Sequence, residues 1–232
     1  FYYSAQQKIK GRVVTNKFRV GVTSDAKTSS GTQFGPEPLK LLEHPMIDWE
    51  FIPGSADGLT PGHAARYDAL CVLGGTVDET MLSGNDTKVS IVARFGVGYD
   101  SVDVKACSDK GVIVTNTPNA VRRPVASSVI THMLAMSHRL ILKDRLVRES
   151  RWKEKGDFLG FGLKSRTLGV VGVGSIGKEI LRLAHPFGPK LLGTDPYVAQ
   201  DQVDDLNVEM TDLDTLLSEA DIISINCFLS SE

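Results

Sequence analysis

Cysteine is scarce in this sequence. Three occur among 232 residues (Cys71, Cys107 and Cys227), far apart and odd in number. They cannot all pair with one another, and none stands in a Cys-x-x-Cys, which argues against a disulfide scaffold or a thiolate metal knuckle. A reducing, cytoplasmic setting is the expectation. Long apolar runs are also missing: none reaches the roughly 18 residues needed to span a bilayer. There is no block of five or six like charges, and the formal net charge is −2. A general role on nucleic acid or on a membrane surface therefore has no electrostatic support. Glycine and proline, 22 and 10 residues, are too few for a low-complexity chain. The opening Phe1-Tyr2-Tyr3-Ser4 lacks a starting Met and the apolar stretch of a signal peptide. No internal repeat stands out.

What is present is a rhythm of short apolar runs separated by helix-length segments. Phe18–Val22, Trp49–Pro53, Ala69–Leu73, Val89–Ala93 and Val112–Thr115 read as strands, with short helices at Pro38–Glu43 and Val102–Asp109. This alternation implies βαβ units and an α/β fold with parallel sheets. From Pro124 to Arg151 there is no glycine and no further proline, which predicts one long helix with Pro124 in its first turn. A second series follows: strand Thr167–Val171, helix Ile176–Ala184, strand Lys190–Thr194, helix Leu213–Glu219 and strand Ile222–Asn226. Two domains are expected, 1–119 and 120–232.

Gly172-Val173-Gly174-Ser175-Ile176-Gly177 is a G-x-G-x-x-G that follows a predicted strand and opens a predicted helix. Asp195 ends the next strand, about 20 residues on, as dinucleotide sites require. Gly172 permits the tight turn, Gly174 lets backbone approach a pyrophosphate, and Gly177 lets helix and sheet pack closely. The helix N-terminus offers unpaired N–H groups to phosphate oxygens. A carboxylate at Asp195 accepts from both ribose hydroxyls and repels a 2′-phosphate, favouring NAD over NADP. A structural turn that binds nothing, or a site for FAD, is the competing reading. In the first half, Arg94-Phe95-Gly96-Val97-Gly98 also follows a strand. Its glycines free successive N–H groups to face one anion, such as a small carboxylate. A tight turn needing only glycine accounts for the same residues. Arg94 itself reads as half of a structural ion pair.

Three stretches, ARFGVGYDSVDVKACSDKGVIVTNTP, TLGVVGVGSIGKEILRLAHPFGPKLLGTDPY and LDTLLSEADIISINC, resemble the D-isomer-specific 2-hydroxyacid dehydrogenases. The resemblance covers about residues 18–232. It implies a flavodoxin-like substrate lobe and an NAD-binding Rossmann lobe, both doubly wound, the latter C-terminally incomplete here. It further implies hydride exchange between NAD and C2 of a small 2-hydroxy or 2-keto acid of the phosphoglycerate, glycerate or glyoxylate/hydroxypyruvate class. The N–H groups of Val97 and Gly98 are then expected to hold the substrate carboxylate. Val125 lines the nicotinamide side, and Gly174, Ser175, Ile176 and Gly177 hold the pyrophosphate. Asn226, Cys227 and Phe228 pass under the cofactor. The family's catalytic Arg, Glu and His are expected beyond Glu232, so no catalytic residue is assigned here and this chain alone is expected to be inactive. A homodimer through the cofactor lobe is the family expectation. A non-catalytic NAD-binding regulator and an inactive fragment remain as alternatives.

The sequence departs from the family at Ser127, where Glu is usual, and at Phe228-Leu229-Ser230, where Pro-Leu-Thr is usual. The five histidines (His44, His63, His132, His138 and His185) have no obvious carboxylate partner, and Asp201, Asp204 and Asp205 read as a solvated face without metal-ligand companions.

Overall fold

A computed structural model describes residues 17–228 apart from 30, 34, 36 and 55–57, together with a small hairpin of Lys8–Ile9 and Arg12–Val13. The expected features at Phe1–Ser4 and at Leu229–Ser230 lie outside the described residues. The chain divides into two compact units, Phe1–Pro118 and Asn119–Glu232.

Unit 1 is built on a parallel sheet of β1 (Phe18–Thr23), β2 (Ile47–Ile52), β3 (Ala69–Val72), β4 (Ile91–Arg94) and β5 (Ile113–Thr115). The spatial order is β2-β1-β3-β4-β5, with every pairing parallel. This is the flavodoxin-like doubly wound order. Successive side chains of a strand face opposite ways, so β3 feeds two cores. Leu70 and Val72 join Val92 and Cys107 on one face, while Ala69 joins Val20 and Val22 on the other. Two helices, α1 (Pro61–Arg66) and α2 (Val104–Asp109), belong to this unit besides a single turn at Glu37–Lys40. Pro61 suits the first position of α1, where its missing N–H costs nothing. Asp103 caps α2 by accepting from the Ala106 N–H at 2.8 Å.

Unit 2 opens with a helical stretch that differs from the single helix expected over Pro124–Arg151. Helix α3 (Pro118–Ser137) starts six residues earlier and holds Pro124 inside it. Helix α4 (Leu140–Arg148) follows after a 58° bend. Arg139, between them, is left-handed at φ 51°. The cause of the break is tertiary. The Phe161 N–H takes the Ser137 carbonyl at 2.9 Å, an acceptor that a continuing helix would use itself. Only glycine fits at 160, since a Cβ there would strike that carbonyl oxygen. No glycine or proline marks the break in the local sequence, so composition could not reveal it.

The sheet of unit 2 contains β6 (Thr167–Val171), β7 (Lys190–Thr194), β8 (Glu209–Met210) and β9 (Ile222–Ile225). Its order is β8-β7-β6-β9, again wholly parallel. Helix α5 (Ser175–Ala184) links β6 to β7, and α6 (Leu213–Glu219) precedes β9. Ile180, Leu181 and Ala184 of α5 pack with Val170 of β6 and with Ala126, Ile130 and Met133 of α3. Chain order reverses between β6 and β9, which makes the carboxyl ends of these two strands the switch point where open α/β sheets bind ligands.

Candidate functional site

The loop leaving β6 has the conformation its glycines predict. Gly172 is left-handed at φ 86°, and a Cβ there would sit 2.6 Å from the Cys227 N and 2.8 Å from the Asn226 carbonyl carbon. The segment after β9 therefore presses backbone to backbone against the turn. A Cβ on Gly177 would run into the Gly172 carbonyl oxygen, so this glycine closes helix onto strand. Gly174 is the reverse case: nothing lies within 4 Å of its missing Cβ. That space lies beside the first turn of α5, which begins at Ser175 without a side-chain cap. Its first N–H groups, together with about half a unit of positive charge from the helix dipole, are there for an anion. Gly172, Gly174, Ser175, Ile176 and Gly177 lie in one turn that leaves open space at Gly174 beside the uncapped start of α5.

Asp195 stands immediately after β7. Its Oδ2 accepts from the Val173 N–H at 2.8 Å and its Oδ1 from the Tyr197 N–H at 2.9 Å. The carboxylate thus belongs to the glycine loop, with lone pairs left for ribose hydroxyls. Asn226 donates its backbone N–H to the Val171 carbonyl at 2.7 Å, and its side chain turns back to Ser224. Asn226 and Cys227 are therefore brought to the loop. Val125, on α3, and Phe228 are both exposed.

In unit 1 the turn after β4 is held from outside. The Gly96 N–H donates to Thr117 Oγ1 at 2.8 Å, and the Thr117 N–H donates to the Gly96 carbonyl at 2.9 Å. Asn116 Nδ2 donates to the Val97 carbonyl at 2.9 Å. The N–H groups of Val97 and Gly98 have no partner among the described residues. Gly96 is at φ 122°, in the left-handed region that favours glycine. Beneath it lies the Arg94 guanidinium, whose Nη1 is 3.3 Å from where a Gly96 Cβ would be. Among the described residues the expected ion pair for Arg94 is absent. Its Nε and Nη1 are buried without a hydrogen-bond partner, leaving an unpaired guanidinium beside Gly96 in the same turn. A buried polar group without a partner is costly and points to an unfilled requirement. Sequence reading passed over Arg94 because a strand-end arginine looks the same whether paired or free. Asp100 Oδ1 lies close to Gly98 and contributes an opposing charge.

Other charges hold the scaffold. The Arg123 guanidinium, 2.6 Å from Glu179, keeps that carboxyl below its ordinary pKa range, helped by Arg122 and Arg182. Burial pushes the Cys71 and Cys107 thiols up, whereas Cys227 is exposed. His63 Nδ1 accepts from the Thr60 N–H, and His132 Nδ1 bonds the Ser128 carbonyl. No histidine is paired with a carboxylate among the described residues. Asp205 faces Arg182, and Asp204 takes the Gln200 amide. A cavity of about 590 Å³ lies at the amino ends of the unit 1 strands, beside Lys17, Arg19, Asp48 and Asp68. Arg19 is already bound to Asp48 and Glu50 there, and the cavity lies at the end of the unit 1 sheet opposite the turn after β4.

A parallel α/β unit with a glycine turn, an open helix N-terminus and an acid after the next strand is a dinucleotide-binding domain. Residues 130–232 match the model of the D-isomer specific 2-hydroxyacid dehydrogenase, NAD binding domain. The chain is 35% identical over 203 residues to the glyoxylate reductase of Thermococcus litoralis, covering 84% of this chain and 61% of that one. It is 34% identical over 161 residues to D-3-phosphoglycerate dehydrogenase of Synechocystis, covering 69% of this chain and 29% of that one. The solved structure of D-lactate dehydrogenase from Escherichia coli superposes with TM-score 0.69 at 27% identity, covering 92% of this chain and 66% of that one. Unit 2 thus matches the NAD-binding domain of the D-isomer specific 2-hydroxyacid dehydrogenase family, and the chain as a whole is similar to dehydrogenases and reductases over most of its length. NAD is the cofactor of its second unit. The chain spans between about a third and two thirds of the length of these relatives.

Proposed function

We propose that the protein is an NAD-dependent oxidoreductase acting on a small 2-hydroxy or 2-oxo acid. The observation that carries this reading is the pair of N–H groups at Val97 and Gly98 left free among the described residues, in a turn whose Gly96 lies beside the unpaired Arg94 guanidinium. Together with the glycine turn, it supplies an anion hole for substrate and a cradle for cofactor on one chain. Val97 and Gly98 hold the substrate carboxylate, and Arg94 adds positive charge from below. The first-turn N–H groups of α5 hold the pyrophosphate, and Asp195 takes the adenosine ribose and repels a 2′-phosphate. Val125 lines the nicotinamide side, and Asn226, Cys227 and Phe228 form the floor. When bound, NAD supplies hydride transfer at its nicotinamide ring. Glyoxylate, glycerate and phosphoglycerate are the candidate substrates, because relatives named for two of these acids are among the most similar proteins.

Two further expectations belong to this reading. A homodimer through α3 and α4 is supported by exposed Met136 and Ile141, 64% and 72% accessible, which give this arm an apolar face. A cytoplasmic setting is supported by three unpaired cysteines. The test is a set of thermal melts of residues 1–232 with NAD, with NADP, and with NAD plus oxalate, a non-reacting carboxylate. A Tm rise with NAD and none with NADP is expected, with a further rise from oxalate. Equal responses to both dinucleotides, or none to NAD, overturn the cofactor assignment. A response to NAD without one to oxalate leaves an NAD-binding regulator as the better reading.

A further inference from the structure

We infer that Asn116 and Thr117 are positioning residues that aim the carboxylate-binding N–H groups. This rests on the reading of the Val97–Gly98 turn as the substrate anion hole. The argument comes from the planarity of the trans peptide, in which C=O and N–H point in opposite directions. The Gly96 carbonyl and the Val97 N–H share one peptide plane, and the Val97 carbonyl and the Gly98 N–H share the next. The Thr117 backbone N–H holds the first carbonyl at 2.9 Å, and the Asn116 side-chain amide holds the second at 2.9 Å. Fixing each carbonyl toward residues 116–117 turns the matching N–H the other way, out of the turn. Thr117 Oγ1 also occupies the Gly96 N–H at 2.8 Å, which takes the third donor out of competition. With two glycines in three residues, the loop has little rotational preference of its own and needs these ties.

The ties come from a segment that is itself restrained. Pro118 follows directly, and a residue before proline is confined to extended backbone. Asn116 and Thr117 are also among the last residues of unit 1, just before the chain passes into unit 2. The anion hole is thus set by the same short segment through which the chain leaves its domain.

The test uses ¹⁵N-labelled residues 1–232 titrated with oxalate, read from the Val97 and Gly98 amide resonances, with Tm and NAD affinity measured alongside. Wild type shifts saturably. Asn116→Ala, which releases the Val97 carbonyl, and Thr117→Val, which keeps the backbone tie to the Gly96 carbonyl but removes the hydroxyl that occupies the Gly96 N–H, weaken oxalate by about threefold to tenfold each, the scale of one lost hydrogen bond. Thr117→Ser, which keeps the hydroxyl, restores wild-type affinity, and NAD affinity is unchanged in all three. A general structural role would lower Tm and NAD affinity together and give no rescue by serine. Wild-type oxalate affinity in both Asn116→Ala and Thr117→Val, or Thr117→Ser as weak as Thr117→Val, overturns the inference. No saturable shift in the wild type overturns the anion-hole reading on which it rests.

Discussion

The Asp195 carboxylate accepts the Val173 N–H at 2.8 Å, joining the end of β7 to the middle of the glycine turn after β6. The acid assigned to ribose recognition is therefore also a strut of the phosphate cradle. Asp195→Ala is expected to lower the stability of unit 2 by about 1–2 kcal/mol as well as weaken NAD. Asp195→Asn, which keeps one oxygen acceptor, should recover most of the stability but not the discrimination against NADP. Denaturant melts and dinucleotide titrations of the two variants separate these effects.

Glycines 174 and 177 should respond in opposite ways. Gly174→Ala places its Cβ in open space, so stability changes by less than about 1 kcal/mol while NAD affinity falls roughly tenfold or more, equivalent to about 1.4 kcal/mol. Gly177→Ala drives its Cβ into the Gly172 carbonyl and destabilises the apo chain by about 1–3 kcal/mol. Apo Tm and NAD titration, measured on both, provide the check.

Arg94→Met removes a partly buried guanidinium that has no partner among the described residues. Apo stability is expected to hold or rise, since the burial cost of the cation disappears. Oxalate affinity is expected to fall, with its salt dependence flattened. A large loss of apo Tm would instead make Arg94 a structural residue.

Cys227 should be the first thiol alkylated by iodoacetamide. It is exposed, and burial holds the Cys71 and Cys107 thiols in the unreactive protonated form. Its backbone lies against Gly172, so NAD should slow labelling at Cys227 and at no other cysteine. Peptide mass spectrometry with and without NAD reads both parts.

Glu179 makes the acid side of the stability profile predictable. Arg123 holds its folded-state pKa below the ordinary value near 4.5. A carboxyl lowered in the folded state stabilises fully above its unfolded pKa, and that contribution disappears as pH falls through the lower folded value. The stability gap between wild type and Glu179→Gln should therefore be constant, at about 1 kcal/mol, from pH 7 to 5.5 and should close below pH 4.5. A gap that persists at pH 3 would assign Glu179 a packing role only.

The alternating apolar runs and the spacing from Gly172 to Asp195 were sufficient for two parallel α/β units and a dinucleotide turn. These features are local: each strand, cap and glycine conformation is written within a few residues of itself. The break at Arg139 was not legible, because its cause is the Phe161 N–H taking the Ser137 carbonyl from a distant loop, where Gly160 leaves it room. Nor was the state of Arg94, since whether a guanidinium finds a partner depends on which strands and loops surround it. The sequence alone determined the segments that become the strands of the two sheets, apart from the short β8, and where glycine must turn the chain. Only the tertiary structure decided which N–H groups stay free, which carbonyls are held, and where a cation is left without its anion. Hydrogen-bond satisfaction is settled between segments far apart in the chain and not within any one of them.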